Sequence, residues 1–205
     1  EKASLWSVFK KHYNNIPPIV SKFIYSHVFA EYTKIYEFFS TQRQALEQVI
    51  GKDSGLVISM PTSSGKTRIA EVAILDCKIK DKNSKILFIA PYRSLAFEIE
   101  NDLERIFNST GIIISQLYGR SLFSKLDEKI IEETDVIIAT QEKAKAMLRS
   151  NSEIINTIKL VILDEGHLLG ADERLIRSEL FIEELRFSVS KNKGKFILIK
   201  FKNAN

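Results

Sequence analysis

Two short stretches carry residue types that could do chemistry on a chain of phosphates. The first is Pro61-Thr62-Ser63-Ser64-Gly65-Lys66-Thr67, a run of small residues ending in a lysine and a hydroxyl. Phosphate oxygens are best met by several backbone N–H groups at a helix N-terminus, where the helix dipole adds to them. Thr62, Ser63, Ser64 and Gly65 are small enough to let the loop wrap closely. Lys66 would bring a positive charge to the outer phosphates, and the Thr67 hydroxyl would ligate Mg²⁺. Position 60, where the GxxxxGK[ST] pattern has its first glycine, is Met60. The second stretch is Asp164-Glu165-Gly166-His167. Two adjacent carboxylates are costly unless a cation or a substrate uses them. Asp164 is placed to hold the same Mg²⁺, usually through water, because that ion dehydrates reluctantly. Glu165 is then free to orient and deprotonate a water attacking a phosphoanhydride.

Such residues need rigid elements to aim them. From Gly55 onward, strand-sized apolar runs alternate with amphipathic stretches. The strands are expected at Leu56 to Ser59, Lys85 to Ala90, Ile112 to Leu117, Asp135 to Ala139, Leu160 to Leu163 and Phe196 to Ile199. Helices are expected at Lys66 to Lys78, Arg93 to Phe107, Glu142 to Leu148 and Leu175 to Phe187, with a less regular stretch around Ser121 to Glu133. Runs that are apolar throughout suit strands covered on both faces, and the alternation with helices predicts a doubly wound, parallel α/β sheet. The phosphate loop then follows the first strand and opens the first helix, and Asp164 sits where ligands bind in open α/β sheets.

The first 39 residues differ in character. Ten of the 20 aromatic residues lie in the first 40, which predicts a helical accessory segment packed on the domain formed by residues 40–205. Val20, Ile24, Val28, Tyr32, Ile35 and Phe39 recur at helical spacing and predict one helix from about Val20 to Phe39. A further helix is expected around Ala45, Leu46 and Val49. His12 and His27, in helical contexts, read as packing or surface residues, and Cys77 as a buried small hydrophobe. The lysines of Lys78 to Lys85 and Lys191 to Lys195 read as solvated loop charge.

Composition excludes several classes. The longest uninterrupted apolar run, Ile86 to Ala90, is five residues, against the roughly 18 needed to cross a bilayer, so no membrane association is expected. One cysteine forms no internal disulfide, which favours an intracellular setting, cytoplasmic or nuclear. A formal net charge of +4 is common among proteins that bind no nucleic acid, so an argument for that partner rests on placed residues.

The ordered set Gln42, PTSSGKT, APYRSLA, ATQEK and DEGH resembles the first RecA-like domain of superfamily 2 helicases of the DExH type. TxEK at Thr140 to Lys143 and HLLGADER at His167 to Arg174 are most similar to the superkiller-type RNA helicases and the archaeal repair DNA helicases. The resemblance covers about Ser40 to Ile199. It implies a RecA-like P-loop NTPase that binds ATP and Mg²⁺ and works on DNA or RNA as an ATP-dependent helicase. It also implies that Gln42 reads the adenine edge, that Arg93 and Thr140 touch the nucleic-acid backbone, and that His167 links the hydrolysis site to the strand-binding side.

After Ile199 the Ser-Ala-Thr-like motif of the family is replaced by Lys200-Phe201-Lys202-Asn203-Ala204-Asn205, and no second RecA-like domain follows. Either this is a piece of a longer chain, or residues between Ile199 and the end are missing or altered; a first residue other than Met is expected of a trimmed chain. An arginine finger from a second domain is worth roughly 10³ to 10⁵ in rate, so residues 1–205 alone are expected to hydrolyse ATP very slowly. The aromatic N-terminal segment could also serve a protein partner. Two other readings fit the residues: a duplex-DNA translocase or ATP-gated switch within a restriction or defence assembly, and a non-catalytic nucleic-acid-binding module.

Overall fold

The computed structural model describes residues 3–30, 34–52, 55–60, 65–119, 123–164 and 173–201. Among them, six strands form one sheet in the order β1-β6-β5-β2-β4-β3, and every neighbouring pair is parallel. The strands are β1 (Leu56–Met60), β2 (Lys85–Ala90), β3 (Ile114–Gln116), β4 (Val136–Thr140), β5 (Ile158–Leu163) and β6 (Lys195–Phe201). Between them run α4 (Lys66–Lys80), α5 (Arg93–Phe107), α6 (Lys125–Glu133), α7 (Gln141–Ser150) and α8 (Glu173–Lys191). The expected doubly wound α/β sheet is therefore the observed one, and no helix among the described residues is long and apolar enough to cross a membrane.

The continuous apolar runs have the purpose anticipated for them. Along β2, Ile86, Phe88 and Ala90 enter the core on one face of the sheet, while Leu87 and Ile89 enter a second core on the other. Helices α4 and α5 cover the first face, and α6, α7 and α8 cover the second. Because successive strand side chains point to opposite faces, only a strand apolar at every position can satisfy both layers.

The N-terminal residues join the first core. They contribute α1 (Leu5–His12) and α2 (Pro18–Val28), followed by α3 (Ser40–Val49). Phe9, Phe23 and Phe38 are buried with Leu46, Ile74 and Phe107 in one cluster, and Phe23 lies with its ring centre 5.6 Å from that of Phe107 on α5. The single helix expected from about Val20 to Phe39 is not formed. α2 stops at Val28, the Ile35 N–H returns to the His27 carbonyl at 3.0 Å, and Glu37 pairs with Ser4 as an antiparallel bridge. Helical spacing cannot see that bridge, because its partner lies more than thirty residues back along the chain. The less regular stretch around Ser121 to Glu133 contains α6, begun by a reciprocal cap. Asp127 Oδ2 accepts from the Ser124 N–H at 2.7 Å, and Ser124 Oγ accepts from the Asp127 N–H at 3.3 Å.

The lysines read as solvated loop charge are a second correction. The Lys78 ammonium is buried; it donates to the Lys82 carbonyl, to the Ser84 carbonyl at 3.0 Å and to Asp135 Oδ1 at 2.7 Å. Lys85 donates to the carbonyls of Ile131 and Thr134 at 2.6 and 2.8 Å, and Lys195 donates to those of Val49 and Lys52. Each ammonium satisfies backbone carbonyls at the amino-terminal end of the sheet, a use that the sequence pattern does not distinguish from a solvated loop. Replacing Lys78 by Met should lower the unfolding free energy by about 2 kcal/mol, less than the roughly 3–5 kcal/mol of a fully buried pair because Asp135 keeps some solvent. Urea denaturation at unchanged slope measures this, and a loss under about 0.5 kcal/mol would contradict it.

Candidate functional site

The phosphate-loop sequence leaves β1 at Met60 and enters α4 at Lys66. Thr62, Ser63 and Ser64 lie outside the described residues. Gly65 is the N-cap of α4 with φ +69°, the left-handed region that a side chain makes costly. Its carbonyl accepts from the Arg68 N–H at 3.0 Å and from Gln42 Nε2 at 3.2 Å. A Cβ on Gly65 would stand 2.4 Å from Gln42 Nε2, far inside contact distance. Glycine is thus required twice here, by the backbone angle and by the close approach of the Gln42 carboxamide.

Gln42 lies on α3, 3% exposed, and its Oε1 accepts from the Phe39 N–H at 2.9 Å. That bond satisfies one of the N–H groups a helix start leaves open. The one carboxamide caps α3 and holds the last residue of the loop. Lys66 and Thr67, the first two residues of α4, are half-buried at the helix end whose free N–H groups and dipole favour an anion.

Asp164, Arg93 and Thr140 fall along the carboxyl edge of the sheet. β5 lies two strands from β1, with β6 between them, which at ~4.8 Å per strand separates them by about 10 Å. Asp164 follows the last residue of β5, and its N–H continues the ladder to the Ile89 carbonyl at 3.1 Å. Leu163 pairs with Ile89, and Ala90 with Thr140, so Asp164, Ala90 and Thr140 stand at one level on adjacent strands. Glu165 and His167 lie outside the described residues. Arg93 opens α5 just beyond β2 and is exposed.

Thr140 ends β4 and caps α7, its hydroxyl accepting from the Lys143 N–H at 3.4 Å. Lys143 is buried, with its ammonium 2.8 Å from Asp127 Oδ2. Burial opposes the charge on Asp127, but Lys143 and Ser124 outweigh it and hold the carboxyl below its usual range. In the TQEK stretch, therefore, the lysine fixes α6 against α7, and Gln141 Nε2 ties α7 to α8 through the Ser178 carbonyl at 3.1 Å. This leaves Thr140 and Arg93 at the edge itself.

Sequence reasoning missed the contacts that hold α4 from outside the sheet. Glu71 and Asp76 are buried within the apolar run of α4. His27 Nε2 of α2 lies 2.9 Å from Glu71 Oε2, and the Arg68 guanidinium donates to Glu71 Oε1. One helix farther back, the Tyr13 hydroxyl donates to Asp76 Oδ1 at 2.7 Å; burial and Asp76 together push that phenol above its ordinary range. A signal was present in Ile69-Ala70-Glu71-Val72-Ala73-Ile74-Leu75, where a lone carboxylate in a run apolar on every side has to be partnered.

The donor set matches a magnesium-bound polyphosphate. It comprises an ammonium and a hydroxyl at a helix start, a glycine cradle that a Cβ would fill, and one hard carboxylate at a nearby strand end. Mg²⁺ is usually bound through one or two carboxylates together with the phosphates of its substrate.

The sequence profile described as DEAD/DEAH box helicase matches residues 39–199. The chain is 46% identical over 199 residues to Hachiman protein HamB of Bacillus cereus, a match covering 97% of this chain and 18% of that protein. It is 33% identical over 154 residues to the ATP-dependent DNA helicase Hel308 of Pyrococcus abyssi, covering 74% of this chain and 20% of that one. The chain thus spans about a fifth of the length of these relatives. Among solved structures, the DUF1998 helicase MrfA bound to DNA superposes with a TM-score of 0.70 at 19% identity, over 90% of this chain and 27% of that chain. A hypothetical ATP-dependent RNA helicase from Sulfolobus tokodaii superposes with a TM-score of 0.70 at 17% identity, over 88% of this chain and 50% of that chain. These two likenesses show the shared fold.

Replacing Gly65 by Ala should cost about 2 kcal/mol of stability, about half from the left-handed backbone and half from the Gln42 carboxamide. In a Gln42→Ala background the same change should cost only about 1 kcal/mol. A double-mutant cycle by urea denaturation reads the difference, and strictly additive costs would contradict the close approach.

Proposed function

The chain belongs to the DEAD/DEAH box helicase family, and from that premise we propose that it is the ATP-binding half of a nucleic-acid-dependent ATPase, coupling hydrolysis to movement on, or unwinding of, DNA or RNA. The observation that carries this reading is the division of the carboxyl edge. The phosphate-loop sequence follows β1 and Asp164 follows β5, while Thr140 ends β4 and Arg93 opens α5 just beyond the neighbouring β2.

In this reading, Thr62, Ser63, Ser64 and Gly65 present backbone N–H groups to the phosphates, and Lys66 neutralises the outer ones. Thr67 and Asp164 hold Mg²⁺, which when bound draws charge from the phosphate oxygens. Glu165 orients and deprotonates the attacking water, and Gln42 meets the adenine edge. Arg93 and Thr140 contact the sugar-phosphate backbone, which positions a strand without reading its sequence; His167 couples the two sides. A second RecA-like domain elsewhere in the full-length chain would complete the site and the strand track. Exposed Trp6, Tyr25 and Phe29 make the N-terminal segment a candidate surface for a protein partner. The proposed setting is intracellular.

A second reading, an ATP-gated duplex translocase or switch within a larger assembly, draws on one comparison. The match to Hachiman protein HamB takes in 97% of the chain, hence nearly all of the N-terminal segment, whereas the match to Hel308 covers 74%. A strand-separation assay beside a triplex-displacement assay distinguishes the two readings, since a duplex translocase scores only in the second.

Replacing Lys66 by Ala in the full-length protein should reduce ATP turnover to below about one hundredth of wild type, the scale of losing one fixed donor to a developing phosphate charge. Turnover within about threefold of wild type would overturn the proposed role of the loop.

A further inference from the structure

Glu71 is fully buried one turn into α4 and has a cationic or polar side chain on each side of it. Arg68, on its own helix, donates to Oε1. His27, carried in from α2, brings Nε2 to 2.9 Å from Oε2 but off the line of a directed hydrogen bond; among the described residues, Nδ1 and Nε2 of the imidazole and Oε2 of the carboxylate have no hydrogen-bond partner. His27 is 1% exposed, and its ring meets Phe23 edge-on with centroids 4.6 Å apart. Native interiors rarely tolerate such polar groups half-satisfied, because each loses its water without a full replacement. An aliphatic or aromatic residue at position 27 would pack against Phe23 but would leave Glu71 Oε2 facing it with no polar neighbour from α2, so packing alone does not account for the imidazole.

Arg68 connects this pair to the loop. Its N–H donates to the Gly65 carbonyl at 3.0 Å, and its guanidinium is held by Glu71. The chain of contact therefore runs from α2, through His27 and Glu71, to Arg68 and the residue that closes the phosphate loop. Gln42 from α3 touches the same Gly65 carbonyl, and Tyr13, just past the end of α1, reaches Asp76 farther along α4. All three N-terminal helices thus grip the helix whose first turn would receive the phosphates.

Resting on the reading of the loop as a nucleotide site, we propose that His27 is a positioning residue. Through Glu71 and Arg68, it makes the N-terminal helical segment a determinant of nucleotide affinity. The segment sets the pose of the first turn of α4, and its influence falls on the nucleotide and not on the nucleic acid.

The test compares two substitutions in the full-length protein that separate packing from polar contact. His27→Phe keeps a ring against Phe23 and removes the polar atoms facing Glu71. His27→Gln loses the ring but keeps an N–H within reach of the carboxylate. The measurements are the affinity for the Mg²⁺ complex of a non-hydrolysable ATP analogue by calorimetry, the midpoint of thermal unfolding, and the KM for ATP against the KM for nucleic acid. The expected result is a crossover. His27→Phe, which leaves Glu71 to Arg68 alone, should unfold no lower than His27→Gln yet bind the analogue about tenfold more weakly, equivalent to about 1.4 kcal/mol. His27→Gln should unfold at a lower temperature and bind within about threefold of wild type. The KM for nucleic acid should stay put in both.

Affinity unchanged in His27→Phe, affinity that follows unfolding temperature across the two variants, or a KM for nucleic acid that moves with the KM for ATP would each overturn the proposal. If His27→Phe fails to fold, Glu71→Gln, a near-isostere on the other side of the contact, should show the same selective loss for the analogue, and wild-type affinity there would overturn it. Wild-type protein that binds the analogue but never turns over ATP would defeat the enzymatic reading while leaving the crossover to decide this one. Absence of any analogue binding by wild type would defeat both.

Discussion

Helix α4 is buried without a break from Ile69 to Asp76, and a stretch of helix with no solvent face must be enclosed on every side. The sheet supplies one wall, and α1, α2 and α3 supply the others. Enclosure fixes where the amino end of α4 points, and so where its dipole and open N–H groups converge. The loop geometry that follows from it, a left-handed Gly65 pressed against Gln42, can form only if α4 is held at that angle. The N-terminal helices, different in composition from the rest of the chain, belong to the same core because α4 cannot be buried without them.

The sheet supplies the second constraint. Parallel pairing brings all carboxyl ends to one edge, and the order β1-β6-β5-β2-β4-β3 sorts them. Loop and acid lie on one side, and Arg93 and Thr140 lie on the other, with Asp164, Ala90 and Thr140 at one level. A ligand on the first pair of strand ends and a strand on the second would be neighbours across β5 and β2, whose backbones are directly bonded. That proximity is a physical basis for coupling one to the other without any long-range device.

Much of this was legible in the residues. Strands apolar at every position foretold a sheet covered on both faces, and Gly65-Lys66-Thr67 and Asp164 singled out the ends of β1 and β5 as the proposed site, because backbone sterics and charge leave few other uses for them. What escaped was non-local. The apolar stripe from Val20 to Phe39 has helical spacing, but a bridge between Glu37 and Ser4 diverts the chain. Lys78, Lys85 and Lys195 look like loop charge, but distant carbonyls claim them. His27 resembles any helical histidine until α2 lies against Glu71. The reciprocal cap of Ser124 and Asp127 starts α6 in a stretch whose apolar spacing is less regular than that of the other helices.

The most direct test of the central claim, that this edge couples nucleotide hydrolysis to nucleic acid, is steady-state ATP turnover by the full-length protein. It should be measured alone and with single-stranded DNA, duplex DNA and single-stranded RNA, beside a Glu165→Gln control. The account predicts turnover stimulated by at least one polymer and lost in the control. Turnover that no polymer changes, or stimulation that survives in Glu165→Gln, would contradict it.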